Sequence, residues 1–133
     1  MRKRSQFGIS LIEVMVALVV LSIGLLGLAL LQLRSLQNTH AAYQVTLATA
    51  MATDAEERLW LARAALAAGV VAVDTSSVQQ TWRDDWTDVL AGSGVASTIT
   101  DIGAAGGEYE ISVGWTDARF GGAQSFSYRV TLP

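Results

Sequence analysis

The chain has 133 residues, nine Lys and Arg against twelve Asp and Glu, and no cysteine. That length holds one membrane segment and one small domain, and without cysteine there are no disulfides, thiolate metal sites or cysteine nucleophiles. Beyond residue 8 the balance is six basic against twelve acidic side chains, a net of −6, a poor surface for nucleic acid.

Residues 1–8 (MRKRSQFG) read as a leader peptide. Arg2, Lys3 and Arg4 are a topology signal that keeps the N-terminus cytoplasmic, with the residues after the span on the opposite side. Residues 14–33 contain no charged side chain, and 20 residues of helix cover roughly 30 Å, one bilayer core. Glu13 stands just inside this apolar run, where a bare carboxylate is expensive and needs an explanation. The helix pattern continues past the apolar run without a Pro. A single helix from about residue 9 to 68 is expected, roughly 90 Å long, with a transmembrane half (9–33) and an amphipathic half (34–69). Leu36, Tyr43, Leu47, Ala50, Met51, Asp54 and Leu61 form its expected apolar stripe, and Gly69 its stop. Gly24 and Gly27 interrupt the apolar half, either as tolerated glycines or as a place of close packing or loosening.

Residues 70–133 form the expected globular part. Ser77 with Gln80 fits a capping box, followed by an apolar face of Val78, Trp82, Trp86, Val89 and Leu90 at helical spacing. Two runs then alternate with period two. Tyr109, Ile111, Val113 and Trp115 share one face, and Phe126, Tyr128, Val130 and Leu132 share another. Residues 95–101 are a weaker third strand. Short glycine-containing connections at 103–107 and 117–122 suit antiparallel hairpins. The expected class is α+β: a long N-terminal helix packed against a small antiparallel sheet of about three or more strands.

The leader ending in Gly8, the Ser10-Leu11-Ile12-Glu13-Val14 run, the apolar helix and its amphipathic extension resemble the type IV pilin family. Residues 23–37 (IGLLGLALLQLRSLQ), the AEER segment and the late EYEISVGWTD run are similar to the PilV-type minor pilins. The resemblance implies cleavage by a prepilin peptidase between Gly8 and Ile9, N-methylation of Ile9, and a filament-assembly role for Glu13, the fifth residue after the cut. The family most often has Phe after the cut, where this chain has Ile9. Physically, the cut creates an α-amino cation close to Glu13, on the same helix or a neighbouring one, and pairing offsets the cost of burying each charge.

Other candidates are ordinary. His40 has no Asp, Ser or Cys partner nearby in sequence and reads as solvated or interfacial. Asp84, Asp85 and Asp88 lack the rest of a calcium loop and read as a solvated helix face. Asp54 and Arg58 read as local helix support, with contact to a neighbouring subunit as the alternative for that charged stretch. Trp60, Trp82, Trp86 and Trp115 are mostly core. The expectation is a non-enzymatic minor pilin with no cofactor, metal or catalytic residue, held in the bacterial inner membrane with its C-terminal part periplasmic, then in a pilus fibre or tip. Its partners are other minor pilins, the major pilin, the peptidase and membrane lipid. The alternatives are a minor pseudopilin of type II secretion and a simple membrane-anchored periplasmic binding module.

Overall fold

The computed structural model describes residues 10–66, 73–103 and 107–133. Helix α1 (Leu11–Ala64) is followed by α2 (Thr75–Trp86), a one-turn helix α3 (Ser93–Ala96), and strands β1 (Thr98–Asp101), β2 (Glu108–Asp117) and β3 (Gly122–Thr131). The chain divides into two units, Met1–Ala41 and Ala42–Pro133. The first consists, among the described residues, of Ser10 and α1 as far as Ala41. The second holds the rest of α1 and the α+β domain, a long N-terminal helix with a three-stranded antiparallel sheet of type IV pilin-like design.

The sheet has the order β1-β2-β3, with both neighbouring pairs antiparallel. Period-two alternation places Tyr109, Ile111, Val113 and Trp115 on the inner face of β2, and all four are buried. Val130 and Leu132 join them, Tyr128 is half-buried, and Phe126 is 38% exposed at the sheet edge. The helix side of the core is Ala48, Met51, Ala52, Ala55 and Leu59. This face is rotated from the expected stripe, of which Met51 alone is buried, Leu47 and Asp54 are half-buried, and Leu61 is 71% exposed. Three of the five buried residues are alanines, so much of the helix side of the core is built from small side chains. Larger side chains at Tyr43 and Leu61 attract attention in the sequence but stay on the solvent side.

The N-cap of α2 lies three residues before the expected one. The Asp74 carboxylate accepts from the Ser76 backbone N–H at 3.1 Å, an N-cap arrangement. Ser77 sits inside the first turn, and its hydroxyl donates to the Asp74 carbonyl. Helix α2 ends at Trp86, so Val89 lies beyond it and is exposed. The weak third strand is shorter than 95–101, because the first part of that run is α3. The expected helix stop, Gly69, lies outside the described residues.

Trp82 fastens α2 to α1. Its ring is fully buried, and Nε1 donates to the Met51 carbonyl at 2.9 Å. Burying an indole of this size contributes about 3–5 kcal/mol against alanine. At the chain's end, Arg63 Nε donates to the Pro133 carbonyl at 3.1 Å, holding the C-terminus against α1.

Candidate assembly site

Glu13 stands in the first turn of α1, where its own N–H donates to the Ser10 carbonyl at 2.9 Å. A carboxylate there is favoured by the helix dipole. Its side chain has no hydrogen-bond or ion-pair partner among the described residues. Gly8 and Ile9, the expected processing residues, lie outside the described residues.

The helix beyond Glu13 is apolar all round. Every Leu, Ile, Val and Met from Leu11 to Leu33 is at least 47% exposed, far more bare apolar surface than a soluble monomer carries. Its one hydroxyl is satisfied internally, since Ser22 Oγ donates to the Leu18 carbonyl at 2.7 Å, as a helix in lipid requires. Among the described residues α1 is the one helix long and apolar enough to cross a membrane. It runs unbroken through Gly24 and Gly27, and among the described residues nothing within 4 Å would meet a Cβ added at either.

The second polar cluster joins α1 to α2. Arg58 Nε donates to Asp54 Oδ2 at 2.9 Å and its Nη2 to Asp85 Oδ2 at 2.7 Å, while Trp86 Nε1 donates to Asp54 Oδ2 at 2.8 Å. Partial burial pulls the Arg58 pKa down, and the bonds to Asp85 and Asp54 outweigh that, holding it above its ordinary value. The Asp54–Arg58 pair is thus an inter-helix tie as well as local helix support. Its Asp85 and Trp86 arms are absent from any sequence signal, because the register between two helices is written in neither of them. Asp84 and Asp88 are exposed, and among the described residues no group of three or more His, Asp and Glu is placed to hold a metal. His40 is half-buried.

A third group lies where α1 passes the edge of β3. The Tyr128 hydroxyl meets Glu56 Oε2 and the Ala52 carbonyl, each at 3.0 Å. Burial first, and the neighbouring Glu56 carboxylate second, push the Tyr128 pKa well above that of a free tyrosine.

An acid at the head of a bare apolar helix, joined in sequence to a small α+β domain, suits membrane anchoring by length and composition. Comparison with known proteins sharpens the N-terminal part. Residues 3–29 match the family described as the prokaryotic N-terminal methylation motif, which supports a type IV pilin-like prepilin signal and a structural protein rather than an enzyme. No curated protein and no solved structure matches the chain significantly.

Proposed function

We propose that this chain is a minor pilin, cut by a prepilin peptidase between Gly8 and Ile9, methylated on Ile9, and incorporated through Glu13 into a complex that primes or caps a type IV pilus. The observation that carries the reading is Glu13, a carboxylate without a partner among the described residues, at the head of an apolar helix matched by the methylation motif. In a low-dielectric surrounding such a group needs a cation. The amine freed at Ile9 supplies one, on the same helix or on a neighbour's. The basic residues at 2–4 support an inner-membrane precursor with a cytoplasmic N-terminus and a periplasmic C-terminal unit. The similarity of residues 23–37 and of the late strands to PilV-type minor pilins favours a pilus over a secretion pseudopilus.

The test is Glu13→Gln, expressed beside the native pilus genes. The expected result is a processed chain that stays in the membrane and is missing from sheared fibres. Incorporation equal to the parent removes the assembly role of Glu13. Recovery of the parent chain in a type II secretion pseudopilus, and not in pili, overturns the pilus assignment.

A further inference from the structure

The two edges of the sheet are finished differently. Along β1, the Ile99 backbone N–H donates to Gln79 Oε1 at 2.6 Å, and Arg83 Nε donates to the Ser97 carbonyl at the strand's entry at 2.6 Å. Side chains of α2 therefore occupy that edge. At the opposite edge β3 keeps unbroken register with β2 over ten residues, from Gly122 to Thr131. No strand among the described residues pairs with its outer side. Natural edges are blunted by bulges, prolines, charge or shortness, and β3 has none of the first two. Its one charged residue, Arg129, reaches Glu110 on β2 at 3.3 Å.

Beside this edge lies a hollow of about 170 Å³, walled by Thr49, Ala52, Thr53, Glu56, Phe126 and Tyr128. A space near that size holds a benzene-sized group. The hydroxyls of Thr49 and Thr53 are spent on the carbonyls of Val45 and Thr49, at 2.9 and 3.0 Å. Phe126 stacks on Tyr128 with ring centroids 5.9 Å apart, so the wall is largely apolar. Its single charge is Glu56. Oε2 is engaged by Tyr128, and among the described residues Oε1 takes no hydrogen bond.

We propose that the outer edge of β3 is a strand-docking site for an extended segment of another protein. That segment is apolar at alternate residues, fills the hollow with one aromatic or aliphatic side chain, and places a cationic side chain from the same face on Glu56. Backbone pairing supplies affinity and the two side chains supply selectivity. A second copy of this chain does not fit the chemistry. Residues 42–133 carry five basic against eleven acidic side chains, a net of −6, so two copies repel. The copy's own β3 cation, Arg129, lies on the opposite strand face from Phe126 and Tyr128 and cannot enter the hollow.

The experiment uses the full chain in detergent micelles and the capped nonapeptide TVTFTKTVT, whose Phe and Lys share a face; it reads binding and is indifferent to processing at Gly8. The expected results are saturable binding by fluorescence anisotropy and slowed hydrogen exchange in residues 122–131. Glu56→Gln keeps an acceptor for the Tyr128 hydroxyl, so the fold is retained, yet it weakens binding about tenfold by removing one charge-assisted bond. The peptide with glutamate in place of lysine binds the parent chain more weakly still. Absence of saturable binding, protection elsewhere, or equal affinity for the Gln variant overturns the proposal. Concentration-dependent protection of residues 122–131 without peptide also overturns it, by making a second copy the occupant.

Discussion

Gly114 lies where β2 passes closest to the end of α3, and Gly114→Ala tests that approach. A Cβ built at Gly114 would stand 2.5 Å from the Ala96 Cβ, 2.8 Å from its carbonyl oxygen and 3.1 Å from its carbonyl carbon. Ordinary carbon–carbon contact is about 3.5–4.0 Å, so strand and helix must separate by roughly an ångström. Overpacking of this kind costs about 1–3 kcal/mol. The same displacement stretches the buried bond from the Gly114 N–H to Ser97 Oγ, now 3.1 Å, at about 1 kcal/mol more. The entropy lost from the unfolded chain returns about 0.5 kcal/mol. The expected net is roughly 2.5 kcal/mol of destabilisation, or a fall in Tm on the order of 15 °C for a unit this size. Denaturant unfolding of the full chain in micelles, followed by tryptophan fluorescence, measures it. Adding Ala96→Gly removes the nearest contact and recovers part of the loss, because the backbone contacts persist. A Gly114→Ala variant within about 0.5 kcal/mol of the parent, the ordinary scatter of surface changes, would refute the packing of α3 on β2.

Trp82→Phe loses the bond to the Met51 carbonyl and part of a fully buried ring, and costs about 2 kcal/mol in the same unfolding assay. A double-mutant cycle of Arg58→Met and Asp85→Asn returns a coupling of about 0.5 kcal/mol, since Asp85 is more than half exposed. The Tyr128 pKa is raised in the folded state, so its stabilising effect is complete below the ordinary value of 10.0 and is lost as pH rises above it; unfolding titrations should show that alkaline loss, and Tyr128→Phe should reduce it. The Asp74 pKa is lowered, first by the Ser76 hydroxyl and then by the Ser76 N–H. Its cap therefore holds above pH 3.8 and is lost as pH falls below, and Asp74→Asn should flatten the acid limb.

The parts of the fold legible in the sequence are those governed by local periodicity. Tyr109, Ile111, Val113 and Trp115 alternate because one face of β2 meets the core and the other does not, and period two survives in the sequence. The buried face of α1 leaves a weaker trace. Ala48, Ala52 and Ala55 are buried, and a buried alanine looks in sequence like an alanine anywhere. The start of α2 is ambiguous in sequence because the Asp74 carboxylate is as good a cap as Ser77 and lies three residues earlier. At the candidate site, Glu13 was legible because its anomaly is local, one acid beside 20 residues without charge. The Arg58–Asp85 tie and the Glu56–Tyr128 pair join residues 27 and 72 positions apart. Only the folded arrangement brings them together.

The most direct check on the proposed identity is the intact mass of the chain, expressed with and without a prepilin peptidase. A pilin precursor loses residues 1–8 and gains one methyl group on Ile9 when the peptidase is present, and keeps its full mass when it is absent. A chain of unchanged mass in both cases is a simple anchor, and Glu13 then has no amine to meet.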